Sequence, residues 1–163
     1  MSIIRATALA IRATALAILV AAPAAVAAQI PDPSPARLVN AKAVDCRFTT
    51  MATGTWKEGV ADTSTKPAKL TVGFKAISTD EGTAESTVSG ARSHITVRVS
   101  GNYLHLMQME PFGALYVTTV FATETKEGRL QAVHTRHEFT PVQVPGMTSR
   151  PEMYVGDCSV TAK

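Results

Sequence analysis

The sequence predicts an all-β fold: one small antiparallel β-barrel of seven to nine strands, with a β-sandwich as the alternative. Three observations lead there. Past residue 28, Thr and Val make up about a quarter of the chain, and both fit a pleated, half-buried strand. Turn-forming clusters recur at Gly59, Asp80-Glu81-Gly82, Ser89-Gly90, Gly101-Asn102, Pro111-Phe112-Gly113 and Glu127-Gly128. Between them, short runs alternate apolar and polar residues without a sustained helical period. A chain of 163 residues is expected to hold one such domain.

From the N-terminus, Met1–Arg5 is a short cationic start, Ala6–Val20 is mostly apolar, and Ala24–Ala28 supplies the small residues of a cleavage site. This three-part layout predicts a cleaved secretory signal peptide over residues 1–28. Ile4–Ala10 recurs as Ile11–Ala17, but two copies do not make a repeat fold. No cysteine for lipid attachment and no twin arginine accompany the signal, so the expectation is general export of a soluble protein to the periplasm or the extracellular space. Pro31, Pro33 and Pro35 predict an extended tether over residues 29–40. Residues 41–163 then form the β domain, with strands near 43–52, 69–78, 83–89, 92–100, 102–109, 114–122, 129–139 and 153–161.

An exported chain with an even cysteine count favours a disulfide, here Cys46 to Cys158. It joins the first strand to the last, which favours closure into a barrel. In the chain-entropy model a loop this long contributes up to about 4.7 kcal/mol. The formal charge of +3 falls to +1 once Arg5 and Arg12 leave with the signal. That balance leaves no electrostatic footprint for nucleic acid. No apolar run outside the N-terminus is long enough for a helical membrane span.

Register separates the faces. Gly101-Asn102 is a two-residue hairpin signal that pairs Val99 with Leu104 and Val97 with Leu106. Reading Glu110–Gly113 as a four-residue turn pairs Met107 with Tyr116 and Leu106 with Val117. Pairing Phe121 with Leu130 then sets Val117 against His134 and Leu115 against Arg136. One face carries Ile95, Val97, Val99, Leu104, Leu106, Leu115, Val117, Phe121, Leu130 and Ala132. The other carries Arg92, His94, Thr96, Arg98 and Ser100, which marks the first face as the core.

Two patches follow. Gln108, His134, Arg136 and Glu138 point inward at the end near Gly113, beside the apolar interior, as in a ligand pocket. Arg136 can hold a carboxylate, His134 can move protons, and Glu138 can fix the imidazole. The outer face carries Tyr103, His105, Met107, Met109, Tyr116, Val120, Val133, His137 and Phe139, an apolar and aromatic surface suited to a partner or a dimer contact. Part of Pro141–Pro151 folding back over it is the alternative. His134 and His137 stand three apart on a strand and point to opposite faces, so no metal site is expected. No G-x-S-x-G, paired carboxylates or glycine-rich phosphate loop is present, and no cofactor is expected.

Gly54-Thr55-Trp56 resembles the G-x-W element near the first strand of lipocalins. In that family the Trp closes one end of an eight-stranded barrel that carries small apolar ligands, so the resemblance implies a barrel of that shape. The pattern departs from the family in following a Cys-bearing strand and in the polar, loop-like Lys57–Ala68.

Three functions are weighed in order. The first is a secreted binding module for a small apolar or anionic ligand at Gln108, His134, Arg136 and Glu138. The second is an envelope interaction or inhibitor domain using Tyr103, His105, Met107, Tyr116, His137 and Phe139. The third is a small barrel enzyme with His134 as acid/base and Arg136 as anion clamp.

Overall fold

The computed structural model describes residues 34–87, 94–111, 113–139 and 150–162. The expected signal peptide lies outside these residues, as do residues 141–149 of the loop offered as an alternative cover for the outer face. A short helix, α1 (Ser34–Val39), leads into eight strands: β1 (Ala41–Lys57), β2 (Val60–Ser78), β3 (Thr83–Ser86), β4 (Ile95–Ser100), β5 (Tyr103–Met109), β6 (Leu115–Glu124), β7 (Leu130–His137) and β8 (Glu152–Ala162). Every strand pairs antiparallel with its chain neighbours, and β8 pairs with β1, so the sheet closes in a ring. That closure replaces the sandwich alternative.

Residues opposite one another on antiparallel strands share a face, so the interior reads as rows around the ring. One row runs Val99, Leu104, Val120, Ala132, Gly156, Phe48, Leu70. It is apolar throughout. The next runs Val97, Leu106, Thr118, His134, Tyr154, Met51, Lys66, and the uppermost Ile95, Gln108, Tyr116, Arg136, Glu152, Thr53, Ser64. Polarity therefore rises towards the end where β7 leaves and β8 enters. Cys46 and Cys158 face each other across β1 and β8 and form the expected disulfide. On the outer side of the same closure, Arg47 of β1 and Arg129 both donate to Asp157 of β8. Gly156 is required here: a Cβ on it would collide with the Arg47 carbonyl oxygen and lie 2.7 Å from Phe48 Cα.

The apolar end is stoppered. Ser34–Val39 forms a helix rather than an extended tether, because Pro35 falls in the first turn, where its missing N–H costs nothing. The helix packs on β5, β6 and β8 and buries Leu38 completely. Thr79 Oγ1 donates to the Val39 carbonyl at 2.7 Å, and Arg37 pairs with Glu124. At the other end the walls are uneven. β8 pairs with β1 only as far as Thr53, while β1 and β2 continue as a two-stranded ribbon to Lys57 and Val60. Lys57–Ala68 is thus strand for nearly its whole length, not loop. Trp56 lies on this ribbon, 54% exposed, edge-on to Phe139. It does not close the barrel as the lipocalin resemblance implies; α1 closes the opposite end.

The Gly101-Asn102 hairpin has the expected pairing, Val99 with Leu104 and Val97 with Leu106. The next hairpin is one residue longer than expected. Gly113 adopts φ +95°, Gly113 N–H donates to the Glu110 carbonyl, and Glu110 N–H donates to the Ala114 carbonyl. A turn followed by a left-handed glycine adds a residue to the loop. Met107 therefore pairs with Val117, and Gln108 with Tyr116. All of β6 is turned over by that single residue. Tyr116, Thr118, Val120 and Ala122 face inward, while Leu115, Val117 and Phe121 leave the core face on which they were expected. The β6–β7 register is also offset by one, with Thr118 rather than Val117 opposite His134. The two offsets cancel, so His134 still shares a row with Leu106.

No helix among the described residues is long and apolar enough to cross a membrane. The outer side of β1 and β2 carries Lys42, Asp45, Arg47 and Lys75, all exposed, so an apolar belt does not run around the barrel. If α1 is an integral stopper, Leu38→Ala lowers unfolding free energy by about 2–5 kcal/mol in denaturant titrations. An unchanged midpoint would mean that the helix does not seal the core.

Candidate functional site

The polar end of the interior is built from alternate residues of β5–β8. Gln108 comes from β5, Tyr116 and Thr118 from β6, His134 and Arg136 from β7, Glu152 and Tyr154 from β8. Five of these, Gln108, Tyr116, Thr118, His134 and Arg136, line a cavity of about 240 Å³. The remaining wall is Leu70, Thr71, Val72, Phe74, Ser86 and Leu106. Among the described residues, β3 pairs with β4 through Thr83 and Ala84.

Arg136 is the central charge. Its Cζ lies 5.9 Å from the Tyr116 ring centroid and 5.3 Å from that of Tyr154, so the guanidinium is held by two aromatic rings. One terminal nitrogen is 3.7 Å from Glu152 Oε2. The same carboxylate oxygen accepts a 2.6 Å hydrogen bond from Tyr154 Oη. Burial, reinforced by that bond, pushes the Tyr154 phenol up to about 12. Burial also raises the Tyr116 phenol, with Glu138 adding to the effect.

His134 is buried among Phe48, Tyr116 and Tyr154, with ring centroids 5.7–6.5 Å away. Its Nδ1 is 2.8 Å from Thr118 Oγ1, and Arg136 Nε–H donates to its Nε2 at 3.5 Å. Nε2 must then be bare, and Nδ1–H donates to Thr118. Burial, with the Arg136 charge second, pulls the His134 pKa down to about 4. The ring is thus neutral at ordinary pH, with both nitrogens engaged.

Of the four residues expected to form the pocket, Gln108, His134 and Arg136 line the cavity. Glu138 lies just past the end of β7, where it accepts a 3.2 Å hydrogen bond from Tyr116 Oη. It does not fix the imidazole; Thr118 and Arg136 do. Gln108 also donates to Glu110. Of the residues expected outside, Tyr103, His105, Met107, His137 and Phe139 are on the outer side or at the strand ends, with Tyr103 stacked on His105 and edge-on to Phe121. Tyr116 and Val120 are corrections: both lie inside, because Gly113 shifts β6.

Thr118, Glu152 and Tyr154 were not expected at the site. A signal for two of them is present. Once Cys158 is bridged on the inner side, Tyr154 and Glu152 follow on the same face at even spacing. No protein-family model, curated protein or solved structure matches the chain.

The low His134 pKa has a sign that can be checked. Between about pH 4 and pH 6.5 the unfolded chain binds a proton that the folded chain refuses, so stability falls as pH drops through this window. The span corresponds to roughly 3 kcal/mol. Denaturant titrations across the window should show a gentler loss for His134→Gln than for the parent. Parallel slopes would contradict a neutral, buried imidazole.

Proposed function

We propose that the barrel is a binding module for a small anion with an apolar body, its carboxylate on Arg136 and its body against Leu70, Val72, Phe74 and Leu106. The observation that carries this reading is a guanidinium held between Tyr116 and Tyr154 at the head of a cavity whose far wall is apolar. An arginine fork suits a carboxylate, and an apolar wall with a few convergent polar groups is the usual make-up of a ligand site. A volume of about 240 Å³ favours a small ligand. Glu152 occupies one side of the guanidinium and competes with an incoming anion.

The enzyme reading is less supported. His134 is neutral, and the arginine beside it occupies the nitrogen a substrate proton would need. The interaction reading has one observation in its favour: the outer rows hold Tyr103 with Phe121 and Met107 with Val117, Thr135 and Met153. Tyr103, Met109, Met153 and Val155 are each more than two-fifths exposed. We place the mature chain outside the cytoplasm, on the export layout of residues 1–28 together with the disulfide.

Calorimetric titration with octanoate and with the uncharged 1-octanol tests the binding reading. Octanoate should bind more tightly, and Arg136→Met should weaken it by about tenfold or more, the worth of a charge-assisted hydrogen bond. Glu152→Gln, which keeps an acceptor for Tyr154 and removes the competing charge, should strengthen it. Equal affinities for the two ligands, or an Arg136→Met variant that binds octanoate as the parent does, would defeat the proposal.

A further inference from the structure

The cavity is not the only hollow that Arg136 borders. A second concavity of about 330 Å³ also borders it, lined by Met51, Lys66, Pro67, Ala68, Lys69, Leu70, Arg136, Glu152 and Tyr154. The two share Leu70 and Arg136. The second is the upper mouth of the barrel between β2 and β8, where β1 and β2 rise past their neighbours.

Its lysines are placed there by backbone. Lys66 is directly opposite Met51, whose side chain is buried in the interior, so Lys66 starts on the inner face of the ribbon. Lys69 owes its place to an irregular register. Phe48 pairs with Leu70 and Thr50 with Pro67, so two residues of β2, Ala68 and Lys69, stand against the single Thr49. Such a bulge re-aims the side chains it carries, and every residue from Lys66 to Leu70 touches the hollow. The mouth thus holds three cations, Lys66, Lys69 and Arg136, against one carboxylate, Glu152. That carboxylate already accepts Tyr154 Oη and faces Arg136.

We infer that this mouth is the headgroup subsite of the binding site proposed above, and that it selects a phosphate monoester over a carboxylate. This inference rests on that reading. A carboxylate satisfies Arg136 and leaves the lysines to solvent. A phosphate monoester carries nearly two charges above its second pKa of about 6 and presents three acceptor oxygens. It can meet Arg136 on the cavity side and Lys66 and Lys69 on the mouth side, while a single alkyl chain enters the apolar cavity past Leu70. The ligand class is therefore a single-chain alkyl phosphate, and free phosphate, lacking the chain, fills only half of the site.

The test compares octyl phosphate, octanoate and inorganic phosphate by calorimetry at about pH 7.5, where the phosphate monoester is mostly dianionic. Octyl phosphate should bind at least about tenfold more tightly than octanoate. The double variant Lys66→Gln/Lys69→Gln should erase that difference by weakening octyl phosphate much more than octanoate. Both lysines are exposed, so this variant should fold as the parent does, which circular dichroism and the thermal midpoint check. Octanoate binding without any gain for octyl phosphate would overturn the headgroup subsite and leave the carboxylate reading standing. Inorganic phosphate binding as tightly as octyl phosphate would show a bare anion site and overturn the inference. Failure of octanoate and octyl phosphate alike would remove both readings.

Discussion

A guanidinium inside a barrel must be neutralised, hydrogen-bonded or stacked, because removing a full charge from water without compensation costs far more than a small domain can spare. Arg136 meets that requirement with parts drawn from three strands. Tyr116 and Tyr154 give it aromatic faces, Glu152 gives it a counter-charge, and His134 accepts from its Nε–H. The demand propagates outward. Burial first and the neighbouring cation second keep His134 neutral, with its proton on Nδ1 towards Thr118. Tyr154 must donate to Glu152, so its phenol resists ionisation. The polar end of the interior is thus one connected arrangement around a single charge.

The scaffold makes this arrangement possible by separating its two ends. The disulfide and the β1–β8 ladder close the ring, and the helix with Leu38 seals the apolar end. Stability can then be concentrated in the rows around Leu104, Val120 and Phe48, which leaves the opposite end free to hold polar groups. Unequal strand lengths add to this: β1 and β2 run on past the last β1–β8 pair, so their side of the mouth stands high.

Much of this was legible in the sequence, and the misses have identifiable causes. Eight strands, the disulfide and the first hairpin follow from alternation, cysteine count and Gly101-Asn102. His134 and Arg136 were placed inward, though by two register offsets that cancel. The turn at Pro111 is where the reading slips: a four-residue turn and the same turn extended by a left-handed Gly113 share the same residues, and only backbone geometry tells them apart. That one residue moves Tyr116 from the outer surface to the lining of the interior cavity. Pro31, Pro33 and Pro35 together predict an extended tether, whereas Pro35 sits in the first turn of α1, where a proline is tolerated. Lys66 falls in the stretch expected to be loop-like and Lys69 opens the strand expected over 69–78, and the bulge opposite Thr49 that brings them together leaves no compositional trace.

The most direct measurement is where a bound anion sits. Intermolecular NOEs between octanoate and the isotope-labelled mature protein would report it. The account predicts contacts from the ligand methyl end to Phe74 and Leu106, and from the carboxylate end to Arg136 and the Tyr116 ring. Contacts confined to Tyr103, Met107 and Phe121 would contradict it, and would move the function from the barrel interior to its outer face.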